Sequence, residues 1–459
     1  MKDSPGVAAK PTSLGVLIIG RKRPGFDQEW NQTMCRGARD ALMSLGFDCV
    51  GADVPVVDDA TISTAIARIR QANCDALVVL QPSLGNGQLS LAVMQQWGMP
   101  VVLWATPERQ ESEKASSCSL VAQHLWASIF RLSNHPFEFV YGDPSDDQTR
   151  AEMSRAISLC HARQRLSRAK LGAIGGNAPG FLAMAPDTFA MKQKLGVQLQ
   201  MLSLTQFIDR VRGIDESAVR SDFDRVRAMK FPMRDVTSDD LSLQSRYYLA
   251  LRQLIDEEGL DAISLQDWPE LPNNPGQWPY LAMSRLADEG FPIGMEGDAD
   301  GAILCLLAQH LGMGLGFITD WLEHDDRSIT FWHAGTAPAS MCEPLGSAGQ
   351  PTLAKHFNIE RPTVVDGTLR SNEPVTIARL WRCDDGYHMT AFEGKTIPMR
   401  RKLTGNGATV EVDGGDVRTW FDTLCHAGFP HHPVVFFGRH RELLRRMARM
   451  LNVDWLDKP

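Results

Sequence analysis

The chain has 459 residues, too many for one ordinary core, so two or three domains are expected. A net charge of −8 and a pI near 5.9 argue against a nucleic-acid partner, because neutralising phosphates needs a positive face. No apolar run reaches about 18 residues, so no membrane span is expected. The opening residues Met1 to Pro5 carry no signal-like apolar stretch before Leu14. The nine cysteines are scattered without a CxxC pair, so neither a disulfide framework nor a cysteine-based zinc site is expected. Together these features predict a cytoplasmic protein.

The first segment, residues 1–167, alternates buried-strand runs with amphipathic helices. Strands are predicted at 14–19, 76–80 and 100–104, with helices at 29–45, around Ile62 to Ile69, at 119–133 and at 146–169. That order means a parallel sheet flanked by helices. The pattern restarts at 168–327. Strands are expected at 170–176, 197–201 and 261–265, and helices at 187–195, 204–213, 215–229 and 238–258. Both segments read as Rossmann-like or flavodoxin-like domains. From 328 to 459 the texture changes to short strands at 328–332, 375–383, 386–393 and 408–412, separated by Gly and Pro, which reads as a β-barrel-like domain closed by a helix at 439–451.

Three features could carry chemistry. They are Glu296-Gly297-Asp298-Ala299-Asp300-Gly301, Asp320-Trp321 followed by Trp332-His333-Ala334-Gly335, and Pro430-His431-His432-Pro433. Each sets an acid or a histidine beside Gly or Pro, where a polar side chain on a rigid turn can enter a cleft. Two carboxylates and an imidazole suit Mn²⁺ or a similar divalent cation. The same residues also admit plainer roles. Asp298 and Asp300 could cap a helix beginning near Gly301, and a His-His pair could be packing. The run Gly175-Gly176-Asn177-Ala178-Pro179-Gly180 is not GxGxxG, and Pro179 removes an amide donor, so no nucleotide cofactor is expected.

From Lys170 onward these motifs resemble the L-fucose isomerase-like family of the L-fucose/L-arabinose isomerase superfamily. The resemblance is carried by Ile174 to Phe181, by Gln266-Asp267-Trp268-Pro269-Glu270, by Glu296-Gly297-Asp298 with Gly301-Ala302, by Trp332 to Pro338, and by His431-His432 before Val434 to Gly438. Arg21 to Phe26 and Ser117 to Leu120 extend it to the N-terminal part. It implies Glu296, Asp320 and His432 as ligands of Mn²⁺, with Mg²⁺ or Co²⁺ as alternatives, and Glu296 and Asp320 as the acid/base groups. It implies a small sugar substrate and a homotrimer or homohexamer in which a neighbour's N-terminal domain caps the site. Candidate substrate contacts are Arg23, Gln266, Trp268, Trp332, His333 and His431; the tryptophans could equally be packing and the arginine a solvated charge. The implied activity is aldose–ketose isomerisation through an enediolate. Epimerisation or carbon–carbon cleavage of a modified sugar or sugar acid would share that intermediate, and a non-catalytic sugar-binding protein is a third reading.

Overall fold

The computed structural model describes residues 13–21, 25–53, 55–384, 386–400 and 403–458. The chain divides into two compact units. One runs to residue 165 and takes in 449–452; the other takes 166–448 and 453 onward.

In the first unit, five parallel strands lie in the order Asp48–Val50, Ser13–Ile18, Leu77–Leu80, Val101–Ala105, Phe137–Tyr141. The middle strands are apolar along their whole length because helices cover both faces. Leu17, Val79 and Leu103 pack there with Ile62, Trp97, Trp126 and Phe130. The two edge strands escape the sequence reading because one is three residues long and the other alternates in burial.

The second unit contains two sheets. Four parallel strands run in the order Gln198–Leu202, Lys170–Ile174, Ala262–Leu265, Ile293–Gly294. The expected helix at 187–195 is a short turn, Thr188–Ala190, continued by a π turn, Met191–Leu195. The other sheet has ten strands. Its main path, all antiparallel, is Gly316–Ile318, Val434–Phe437, Pro374–Cys383, Gly386–Ile397, Asn406–Val412, Ser328–His333, Asp320–His324. The chain passes from one end of this path to the other through Thr319 alone. The two edges therefore meet and the sheet is rolled, around a core of Phe331, Ile377, Phe392, Val410, Trp420 and Val435. Thr319 reinforces the seam by donating its N–H to the carbonyl of Pro433 at 3.0 Å. No helix among the described residues is long and apolar enough to cross a membrane.

Candidate active site

The loops that follow the parallel strands of the second unit converge on the seam of the rolled sheet. Loops at this end of a parallel sheet are where ligands bind in open α/β folds. The strand Ala262–Leu265 leads into Gln266, Asp267 and Trp268, and Ile293–Gly294 leads into Glu296. Glu296 has φ 54°, a left-handed backbone that is uncommon without glycine. Gly297 follows at φ 78°, and a Cβ there would fall 2.0 Å from the carbonyl oxygen of Gly176, so only glycine fits. Three contacts hold this turn. The backbone N–H of Glu296 donates to Oδ1 of Asp267 at 3.1 Å, its carbonyl accepts from Ala178 N–H at 2.9 Å, and the Trp268 indole N–H donates to Oε1 at 2.8 Å.

Oε2 of Glu296 is left facing two imidazoles, with His432 Nε2 at 3.2 Å and His333 Nε2 at 3.7 Å. Asp320, the first residue across the seam, brings Oδ1 to 3.5 Å from the same His432 Nε2. Ligand atoms of Glu296, His333 and His432 all lie within 4.8 Å of one another, as do those of Asp320, His431 and His432. His333 is thus a potential ligand as well as an expected substrate contact. Its Nδ1 accepts from Ala334 N–H at 2.8 Å, which turns Nε2 toward the carboxylate. His432 Nε2 is fully buried yet makes no well-formed hydrogen bond in the protein. A buried, unsatisfied nitrogen among carboxylate oxygens is the environment a divalent cation satisfies, and the donor set of oxygens and imidazole suits one.

A wholly buried carboxylate supports His432 from behind. Asp298 accepts from both terminal nitrogens of Arg379 at 2.6 and 2.8 Å, caps the helix Ala299–His310 by accepting from Gly301 N–H at 2.9 Å, and lies 3.3 Å from His432 Nδ1. The capping expected of Asp298 and the orientation of the imidazole thus fall to one side chain. Gly301 permits the arrangement, since a Cβ would lie 2.4 Å from Asp298 Oδ2.

The electrostatics follow. Burial opposes charge on Glu296, but the two imidazoles outweigh it and hold the carboxyl well below its usual range. Asp298 is likewise held down, because Arg379 overcomes its burial. His432 is disfavoured as a cation by burial, yet Asp298 and Glu296 raise it to about 9. Burial raises Asp300 to about 6, and Tyr387 donates its hydroxyl to it at 2.9 Å. Asp267 is pushed well above the carboxylate range by burial and by the charge of Glu296.

A cavity of about 680 Å³ opens over this cluster. Glu296, Asp320, His333 and His431 form its polar end, and Trp268, Trp278, Tyr280, Trp332 and Phe357 supply aromatic walls. His356 stacks on Trp278 with centroids 4.0 Å apart, and burial lowers it to about 4, so it is neutral near pH 7. Of the expected substrate contacts, Trp268, Trp332, His333 and His431 line the cavity. Gln266 does not; its amide donates to Glu270 at 3.1 Å. Trp321 packs among Phe331, Phe392 and Phe421. Arg23 lies outside the described residues. Asp267, Arg379, Trp278, Tyr280 and His356 are part of this assembly without having been singled out as site residues. A separate cavity of about 440 Å³ in the first unit is lined by Arg21, Asn31, Arg36 and Ser83.

Comparison with known proteins finds likenesses to sugar isomerases. A family model described as the L-arabinose isomerase central domain matches residues 183–314. The L-arabinose isomerase of Thermotoga neapolitana is 24% identical over 271 residues, 58% of this chain and 52% of that protein. These likenesses support an arabinose isomerase-like family. The similarity is more extensive to proteins named sulfoquinovose isomerase. That of Priestia aryabhattai is 25% identical over 449 residues, 96% of this chain and 98% of that protein, and that of Alkalicoccus urumqiensis is 23% identical over 83% and 85%.

Proposed function

We propose that the protein is a divalent-metal-dependent aldose–ketose isomerase acting on a sugar of the sulfoquinovose type, a hexose bearing a sulfonate. The observation that carries this reading is the convergence of Glu296 and Asp320 on Nε2 of His432, at 3.2 and 3.5 Å, with both carboxylates at one end of an aromatic-walled cavity. The near full-length likeness to sulfoquinovose isomerases favours the sulfonated sugar. Among the described residues the cavity has no lysine or arginine in its lining. The sulfonate would then meet Arg21 or Arg23 of a neighbouring subunit, as the superfamily resemblance implies.

Glu296, Asp320, His432 and, by its position, His333 would hold the cation, with Mn²⁺ the first ion to test. Bound there, it would supply Lewis-acid stabilisation of the negative charge that develops when the proton leaves C2. The rest falls to the side chains. Isomerisation removes the proton on C2, returns it to C1, and transfers the hydroxyl proton from O2 to O1. Glu296 has one oxygen tied to Trp268 and the other facing the imidazoles, whereas the Asp320 side chain is 31% exposed beside the cavity. Asp320 is therefore the carboxylate free to carry the carbon-bound proton. Trp268 and Trp332 can cover a sugar face and exclude water.

The test is turnover of chelator-treated and Mn²⁺-loaded protein on sulfoquinovose, L-arabinose and L-fucose, in wild type and Glu296→Gln. A ketose of equal mass, formed only with metal and lost in the variant, is expected. Fragments of lower mass would replace isomerisation with cleavage. Full turnover after chelation would remove the metal from the mechanism.

A further inference from the structure

A second group of ligand-type side chains lies on a hairpin that the proposed chemistry does not use. The strands Pro374–Cys383 and Gly386–Ile397 pair so that Cys383 faces Gly386, Arg382 faces Tyr387 and Trp381 faces His388. Directly opposed residues of an antiparallel pair project to one face, and side chains alternate along each strand. Arg382 and Tyr387 therefore share one face, where Arg382 pairs with Asp187 at 3.0 Å and Tyr387 donates to Asp300 at 2.9 Å. Trp381, Cys383 and His388 share the other, with Cys383 and His388 as diagonal neighbours. Asp384 follows Cys383 with φ 50°, turning the chain left-handed at the hairpin end. The result is convergence: the Cys383 sulfur, an Asp384 carboxylate oxygen and a His388 ring nitrogen lie within 4.8 Å of one another.

The imidazole has a fixed plane. It stacks on Trp381 with centroids 5.5 Å apart and planes 24° apart, and Trp381 is buried and donates its indole N–H to the carbonyl of Ala427 at 3.0 Å. No side-chain hydrogen bond or ion pair among the described residues engages Cys383, Asp384 or His388. All three are reachable from solvent, Cys383 and His388 being half-buried and Asp384 exposed. Three donors thus meet at the end of one strand pair, with no side-chain hydrogen bond or ion pair among the described residues to occupy them.

We propose that Cys383, Asp384 and His388 form a second cation site, one that takes Zn²⁺ with water in the fourth position. Thiolate, imidazole and carboxylate are the ligands Zn²⁺ takes in tetrahedral sites. The sulfur sets it apart from the cluster around His432, which offers only oxygen and nitrogen donors and suits harder ions. On binding, the Cys383 thiol gives its proton to solvent as the sulfur–zinc bond forms. The signal is a Cys-x4-His spacing, which acquires meaning only through the hairpin register and not as a CxxC pair.

The test uses Co²⁺ as a spectroscopic stand-in for Zn²⁺. Chelator-treated full-length protein is titrated with Co²⁺ and the near-ultraviolet thiolate-to-cobalt band is followed. One equivalent carrying this band is expected, displaced by Zn²⁺, absent in Cys383→Ser and retained in Glu296→Gln. His388→Gln, which keeps the thiol, is expected to weaken the binding at least tenfold, and carries the test should the serine variant fail to fold. A wild-type titration without a thiolate band overturns the proposal, as does a band that survives in Cys383→Ser and so belongs to another of the nine cysteines.

Discussion

Asp298 Oδ2 lies 3.3 Å from Nδ1 of His432, and both side chains are wholly buried. A carboxylate on the far nitrogen of a metal-binding imidazole fixes its ring orientation and raises its basicity. Asp298→Asn keeps the shape and removes the charge. Its Mn²⁺ affinity, measured by calorimetry, is expected to fall about 10- to 100-fold. Unchanged affinity would reduce Asp298 to a helix cap.

Arg379 tests the other side of the same carboxylate. Removing one partner of a buried ion pair leaves an uncompensated charge and costs about 3–5 kcal/mol. Arg379→Met is therefore expected to lower resistance to denaturant by that order. The double variant Asp298→Asn/Arg379→Met should lose less than the sum of the two single changes, because the two groups act as a unit. Additive losses would show that they do not.

Trp268 holds one oxygen of Glu296 through its indole N–H. Hydrogen bonds to charged groups contribute about 1.5–3 kcal/mol. Trp268→Phe should keep the aromatic wall, and its T-shaped contact with Phe181, while releasing the carboxylate. The expected loss is about 10- to 100-fold in kcat with little change in KM. A change confined to KM would make Trp268 a surface for the sugar alone.

The imidazole of His432 is raised to about 9 in the ion-free protein, and only its neutral form can bind a cation. Below that pH each bound ion must displace a proton. The apparent Mn²⁺ affinity should thus rise about tenfold per pH unit between pH 6 and 8 and flatten above pH 9. Calorimetry in buffers of different ionisation enthalpy reads the released proton directly, and buffer-independent heats at pH 7 would contradict the assignment.

Asp300 gives a stability prediction of known sign. Its carboxyl is raised from an ordinary 3.8 to about 6, mainly by burial. The folded state therefore holds the proton more tightly than the unfolded chain. The stability this provides is complete below pH 3.8 and is lost as pH rises through 6, a change on the order of 2–3 kcal/mol. Asp300→Asn can still accept from Tyr387 but cannot ionise. Its melting temperature relative to wild type should increase between pH 4.5 and 7.5, and a gap independent of pH would refute this.

The central strands of both parallel sheets were legible in the sequence because burial on both faces forces unbroken apolar runs such as Leu77-Val78-Val79-Leu80. The short edges were not, and neither was Gly316–Ile318, whose three residues mean little until they pair with Val434–Phe437. Glu296, Asp320 and His432 were reached through motif resemblance, since local pattern alone leaves caps and packing open. Arg379 shows what a linear reading passes over. It interrupts an apolar run, Ile377-Ala378-Arg379-Leu380-Trp381, yet its partner Asp298 is 81 residues away. Only the assembled sheet reveals why a charge belongs there.

The seam at Thr319 has a mechanical consequence. Asp320 begins the strand at one margin of the rolled sheet, and His432 precedes the strand beside the other margin. An ion gripped by both would act as a clasp, fastening shut a cylinder whose covalent closure is a single residue. The same two side chains would then govern how readily the sheet unrolls, so that emptying the site loosens the architecture that built it.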